Sequence, residues 1–301
     1  MAITGSGIPT NRTNIQLPND VSAEILQKTQ EGSMVMQLAR QIALPGRGVQ
    51  IPVIAGDPEA AWVAETGVKP VSNPTLDKKI MQAHKLAVIV PFSDEFRRDA
   101  ASLYDALIAR LPGVLAKKFD ETVFFGPSSG TLANFDNFST VTGYALDDSG
   151  KTAYDGLVAA DTAVSTQGGT ITGFAFSPQG RGVLLGAQDA DKRPLFINSA
   201  AEGAVNRLLG APVYFSAAAY KAGTSGSGAT PDIVGFAGDW THAMYGVVEG
   251  VKIDYSADAT LTSGQTTINL FQQNMFAVRA EIEIGFIAEI EYFAKLTKAH
   301  A

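Results

Sequence analysis

The run "FAVRAEIEIGFIAEIEYF", residues 276–293, constrains the chain more than any other stretch. Its even positions Phe276, Val278, Ala280, Ile282, Ile284, Phe286, Ala288, Ile290 and Tyr292 are all apolar, while Arg279, Glu281, Glu283, Glu289 and Glu291 stand among the odd ones. A two-residue period puts one face of a strand in a core and the other in a polar setting. At ~3.3 Å per residue the strand would reach nearly 60 Å, longer than strands usually run. Gly285 is therefore expected to mark a bulge or a break. A chain that must cover one face of so long a strand needs several partner strands or a long helix against it.

The helix is visible. In "PFSDEFRRDAASLYDALIARLPGVLAKKFDETVFFG", Leu103, Leu107, Leu111, Leu115, Phe119 and Val123 recur every four residues. Ser93 suits the N-cap, and Asp94 and Glu95 suit the positive end of the helix dipole. A four-residue step drifts by ~40° per repeat around a 3.6-residue helix, so the stripe cannot stay on one side of a straight rod. Pro112 is expected to bend a single helix of roughly 30 residues, and Gly126-Pro127 ends it. Before it, Val21 to about Leu44 reads as helical with an interruption near Gly32, and "LPGRG" closes that stretch. Further on, Tyr154–Val164 and "RGVLLGAQDA" read as helices. "TITGFAFSP", "APVYFS" and "DIVGFAGD" read as strands, and "YKAGTSGSGATPD" as a Gly/Ser loop. The mixed order gives an α+β class.

Between the strand-like "VQIPVIAG" (Val49–Gly56) and "HKLAVIVPF" (His84–Phe92) lies "AAWVAETGVKPVSNPTLDKKI", Ala60 to Ile80. It has no helical stripe and only fragments of alternation. Residues 49–91 thus read as a two-stranded excursion that turns within "ETGVKPVSNPTLD", with Leu86, Val88 and Val90 on the returning strand. Trp62 on this excursion has two readings: a core tryptophan whose pattern is hidden, or an anchor on a partner, since interface hot spots favour tryptophan.

Composition narrows the chemistry. Of 301 residues 46% are apolar, enough for a substantial core. With no cysteine, disulfides and thiolate metal sites are excluded. His84, His242 and His300 show no metal-ligand spacing. The apolar run near Leu86–Val90 is too short to span a bilayer, and the first residues do not form a signal peptide. A net charge of −7 argues against a nucleic-acid reader, though not against a container for nucleic acid. Three motifs approach catalytic patterns and fall short. "GPSSG", residues 126–130, has nucleophile-elbow spacing around Ser128, but it follows a helix where the elbow needs a strand. "SGKT", residues 149–152, ends like a phosphate-binding loop but has Ala145 where that loop needs glycine. "GRGVLLG", residues 180–186, misses the dinucleotide fingerprint by one residue. The rows Glu281/Glu283 and Glu289/Glu291 read as a solvated or inter-subunit polar face rather than an acid–base pair.

The order of parts resembles the major capsid proteins of tailed bacteriophages with the Hong Kong 97-type fold. The segments that carry it are "AAWVAETGVKPVSNPTLDKKI" leading into "KLAVIVPFSDEF", then "GFAFSPQGR", "LGAPVYFS", "IVGFAGDW" and the closing "EYFAKL", covering about Val21 to Leu296. The resemblance implies an N-terminal arm and short helix at 1–48, an extension loop at 49–91 and a peripheral domain with a spine helix at 92–150. It further implies an axial domain at 151–265 and C-terminal strands of the peripheral domain at 266–301. It also implies that Trp62, Glu65, Lys69, Lys78 and Lys79 contact neighbouring subunits. Copies of the chain would form pentamers and hexamers of an icosahedral head around double-stranded DNA without sequence-specific contact. Portal, scaffolding and decoration proteins are further implied partners, and no cofactor or membrane is. Assembly would take place in the host bacterial cytoplasm and the product would be the virion. The chain begins almost at the arm, so a scaffold would be separate or removed. Some members join neighbours by a lysine–asparagine bond; Asn274 does not match that motif. An encapsulin-type nanocompartment shell is the alternative, which the polar start and long excursion disfavour. A hydrolase built on Ser128 is a third reading.

Overall fold

The computed structural model describes residues 32–300, apart from residues 47, 57–59, 61, 64–67, 70, 72–74, 96–100, 148–151, 190, 197–204 and 264–265. Strand β14 (Met275–Ala288) runs for 14 residues and buries its even positions from Phe276 to Ala288, as its alternation requires. Along one edge β4 (His84–Ser93) pairs antiparallel with Met275–Ile284. Along the other, β10 (Ala243–Val247) and β11 (Lys252–Ser256) pair antiparallel with its two halves. β1 (Arg40–Ala43) adds to β10 in parallel and completes five strands.

Two expectations about this strand fail for identifiable reasons. It stops at Ala288 rather than running to Tyr292, because Ile290–Tyr292 turn as a 3₁₀ helix and deliver the chain to β15 (Phe293–Lys298) in a second sheet. Nor does it break at Gly285, which pairs in register with Gly246. A Cβ there would lie 2.6 Å from the Gln82 carbonyl oxygen and 2.8 Å from Met81 Cγ, so this glycine makes room for another chain segment rather than a bend.

The second sheet has six strands in the order β5 (Gly143–Ala145), β15, β9 (Asp232–Gly238), β6 (Gly173–Phe176), β8 (Ala211–Phe215), β7 (Arg207–Leu208). All four residues of β6 are buried, which fits a central strand covered on both faces. Helices α3 (Ala153–Thr166) and α4 (Pro178–Gly186) supply Leu157, Ala160 and Leu184 to its cluster with Phe174 and Phe176. Between the sheets lies an aromatic core. Phe138 stacks on Phe293 at 4.4 Å, Phe124 stacks on Phe236 at 4.6 Å, and Phe286 meets Phe138 edge-on at 5.8 Å. Such offset and edge-on pairs add about 1 kcal/mol each beyond area burial. A separate hairpin of β12 (Thr260–Ser263) and β13 (Thr266–Asn269) folds beside the start of β14.

Helix α2 (Ala101–Phe125) continues through a buried Pro112. The drift of its apolar stripe is put to use. Leu111 and Leu115 pack with Val278 and Ile282 of the first sheet, while Phe119, Val123 and Phe124 enter the aromatic core. Ser93 closes β4, Asp94 and Glu95 are helical, and the junction at residues 96–100 lies outside the described residues.

The helical reading up to Leu44 is corrected. Helix α1 (Met34–Leu38) ends early, and Arg40–Ala43 extend to pair with Met244–Val247. Ladder pairing outweighs local helical pattern here. The excursion is corrected too. β2 (Val49–Gly56) is answered by β3 (Thr75–Met81), with Val49 opposite Met81 and Gly56 opposite Thr75. Leu86 and Val88 were expected opposite β2, but their apolar face is taken by the cluster under α2, so β4 belongs to the body and not to the arm.

The two kinds of glycine separate in a stability measurement. Gly285→Val should destabilise the chain by about 2 kcal/mol through overpacking against Met81 and Gln82. Gly182→Ala, in α4 with nothing within 4 Å of the added methyl, should stabilise it by about 0.5–1 kcal/mol. Denaturant midpoints of the two variants check this.

Candidate assembly arm and its root

The hairpin β2–β3 forms a two-stranded sheet of its own, and the segment between its strands holds exposed apolar residues. Trp62 is fully exposed at 105%, with Val68 at 95% and Val71 at 89%, and Val63 is exposed beside Trp62. Lys69 and Lys78 are exposed as well. Glu65 lies outside the described residues. Of the two readings of Trp62, the core tryptophan is excluded. Single exposed apolar residues are ordinary, but four large ones on one excursion from the body leave an apolar surface that water must cover.

The arm's root is built in the opposite way. Met81 is wholly buried with Leu44 and Ile287. Gly48 turns with a φ of 82°, and a Cβ there would sit 2.6 Å from the Met81 carbonyl oxygen, so the base of the hairpin closes on a residue that only glycine satisfies. Lys79 points into its own chain. Its Nζ donates to the Ala288 carbonyl at 2.6 Å and pairs with Asp136 Oδ2 at 3.1 Å. The same carboxylate oxygen accepts from Ala288 N at 3.0 Å, and Asp136 N donates to the Phe286 carbonyl at 3.2 Å. The end of β14, past the reach of β4, thus has its peptide groups satisfied by an ion pair that also ties down the arm. His84 Nε2 adds a 2.8 Å bond to the Ala133 carbonyl. Of the residues expected to contact neighbours, the structure brings Lys79 to the root and leaves Trp62, Lys69 and Lys78 on the surface.

The remaining motifs are absorbed by structure. Ser128 is exposed in the loop directly after α2, so the strand that a nucleophile elbow needs is missing. Thr152, the end of "SGKT", is the N-cap of α3 in a reciprocal capping box with Asp155. "GRGVLLG" lies inside α4, which Ser177 caps and Pro178 begins. There Gly180 lets the helix approach the Phe176 ring and the Val234 carbonyl, each 2.6 Å from an added Cβ.

The carboxylates of β14 find partners within the chain. Glu283 pairs with Lys85 at 2.8 Å, Glu281 with Arg279 at 3.4 Å, and Arg279 with Asp254 at 2.5 Å. The bonds to Glu283 and Asp254 hold the Lys85 and Arg279 pKa values above their ordinary ones. Sequence reading missed two clusters. His242 Nδ1 lies 2.8 Å from Glu289 Oε2 while its ring stacks on Tyr292 at 3.9 Å. Asp232 collects the Gly223 amide, the His300 ring and the Tyr220 hydroxyl, and the first two lead in holding its carboxyl below the usual range. Both span tens of residues and leave no local spacing to read. Among the described residues no group of three His, Asp or Glu is placed to hold a metal ion, and no helix is long and apolar enough to cross a membrane.

The phage capsid family matches residues 14–296, which takes in the arm, α2 and both sheets. The chain belongs to the phage capsid family. It is 27% identical over 290 residues to the probable major capsid protein gp17 of Mycobacterium phage L5, covering 89% of this chain and 85% of that one. To the probable major capsid protein gp17 of Mycobacterium phage D29 it is 25% identical over 297 residues, covering 93% and 89%. A solved structure from Microbacterium phage Oxtober96 superposes with a TM-score of 0.74 at 23% identity, covering 89% of this chain and 91% of that one. The α+β architecture is thus the Hong Kong 97-type capsid fold. The chain is a structural protein of a phage shell, and the nanocompartment alternative is not favoured.

The clip at the arm's root can be tested. Lys79→Met keeps the stem and removes the donor, leaving the half-buried Asp136 carboxylate the Ala288 amide as its donor among the described residues. Loss of a charged hydrogen bond at a half-exposed site is worth about 1 kcal/mol. Amide exchange across Thr75–Met81 should therefore accelerate about fivefold, while exchange in β6 stays unchanged.

Proposed function

We propose that this capsid protein assembles with copies of itself into pentamers and hexamers of an icosahedral phage head around double-stranded DNA, and that the arm provides the grip between neighbours. The observation that carries the reading is the contrast within one hairpin: a root fixed by a buried methionine and an ion pair, and a far end presenting Trp62, Val63, Val68 and Val71 to solvent. An isolated two-stranded ribbon is marginal in water. Docking on an adjacent copy supplies the missing burial, and Trp62 is the anchor by size and exposure. Glu65, Lys69 and Lys78 would then line the polar rim of that contact.

The sequence-drawn division into an arm to residue 48, an extension loop to 91, a peripheral unit to 150, an axial unit to 265 and returning strands to 301 is part of the proposal. In the fold the sheets trade strands across these marks, since β10 and β11 pair with β14 while β15 pairs with β9. Domain rotation as the shell matures would flex α2 at Pro112. DNA would be enclosed without base recognition, in keeping with a net charge of −7. Portal, scaffolding and decoration proteins would complete the head, formed in the host cytoplasm.

Trp62→Ala tests the grip. Because Trp62 is fully exposed in its own chain, the isolated subunit should keep its stability within about 0.5 kcal/mol. Shell yield by sedimentation and electron microscopy should fall at least tenfold. Normal shells from the variant would remove Trp62 from the interface.

A further inference from the structure

Beside the aromatic core the surface holds a cleft of about 520 Å³. Trp240 forms its floor. This residue is buried, its Nε1 donates to the Gly173 carbonyl at 3.0 Å, and its ring meets Phe138 and Phe293 edge-on. Leu38 and Ala39, where α1 ends and β1 begins, line the cleft from one segment of the chain, and Pro212 and Tyr214 of β8 line it from another. Gly173 lets Leu38 settle there, since an added Cβ would lie 2.5 Å from Leu38 Cδ2. Arg40 is the charged residue among its described lining. It is exposed, with a guanidinium nitrogen 3.2 Å from Met244 Sδ. Clefts of this volume take up ligands far larger than one side chain. The chain's own Trp62 does not fill it, being fully exposed.

We propose, on the basis of the assembly reading above, that this cleft seats Trp62 of an adjacent copy of the chain. The two surfaces match in apolarity. A tryptophan can bury roughly 150–250 Å², and the cleft offers it aliphatic and aromatic walls over a floor fixed in the core. Gln37 and Thr241, which also line the cleft, carry oxygens that can accept from an indole N–H.

They match in charge as well. Asp57, Glu59 and Glu65 stand around Trp62 in sequence, and neither Lys nor Arg occurs from Gly48 to Val68. Arg40 gives the cleft the opposite sign. Complementary charge steers the encounter and fixes its register, and a guanidinium can also lie over an indole face.

The contact has the right symmetry. Arm and cleft are different surfaces, and each copy carries one of each. Joining them is therefore heterologous, and head-to-tail contacts close into rings when the rotation between copies allows. A self-matching contact would stop at dimers.

The chain contains no cysteine, so cross-links can be placed cleanly. Gln37→Cys combined with Val63→Cys puts one thiol at the cleft and one next to Trp62, both at exposed positions, and leaves Trp62 in place. Each single variant can link at most two chains, so larger products report the joining of arm to cleft. Shells of the double variant treated with a short bis-maleimide should give a ladder of three or more linked chains. Shells that give nothing beyond dimers overturn the seat. Failure of the wild-type chain to form shells is a different result, which overturns the assembly reading and the seat with it. Should the double variant not assemble, radical footprinting of the wild-type chain decides. Trp62 and Tyr214 should both lose reactivity between free subunit and shell. Tyr214 equally reactive in both states overturns the proposal. So does protection of Tyr214 while Trp62 stays reactive, which would give the cleft to another occupant such as residues 1–31.

Discussion

Phe138 stacked on Phe293 and set edge-on to Phe286 is the contact through which the two sheets become one body. Phe286 lies two residues before the end of β14 in the five-stranded sheet, and Phe293 opens β15 of the six-stranded one. The chain changes sheets within the six residues between them, so the aromatic trio sits where one sheet gives way to the other. Phe119 and Phe124 bring α2 into the same cluster. Rigid burial here allows other parts of the chain to be left without partners of their own.

The arm depends on that rigidity. Its root is seated at the end of β14, where Lys79 and Asp136 satisfy the Ala288 peptide. The two glycines opposite each other, Gly246 and Gly285, clear space for Met81 and Gln82. Without them the hairpin could not lie against the sheet, and its outer apolar residues would have no fixed direction. A directed arm loses less freedom when it docks than a free one, and so retains more of the contact energy as affinity.

Much of this could be read from residues alone. The even positions of β14 and the four-residue step along α2 are local signals, and the even positions of β14 and Leu111, Leu115, Phe119 and Val123 of α2 end on the buried side. The Gly/Ser loop and the end of α2 at Gly126 are equally local, whereas α4 starts at Pro178, inside the stretch read as a strand, and ends at Gly186, short of the "AQDA" read as helix. What could not be read depends on pairing at a distance. Arg40–Ala43 carry a helical pattern but meet an open edge of β10. Leu86 and Val88 alternate as well as any strand, and nothing near them says that β14 rather than β2 will be opposite. Asp120, Asp136 and Glu289 look like surface acids until Ser33, Lys79 and His242 are brought to them from 87, 57 and 47 residues away. Trp62 was legible as odd, and the structure removes the ordinary explanation for it.

The charged row on the outward side of β14 cancels itself, with Lys85, Arg279 and Lys252 set against Glu283, Asp254 and Glu281 among strands of one chain. Such a mosaic projects little long-range field. A second molecule settling on it would be guided by contour instead of attraction, and its fit there would vary little with ionic strength.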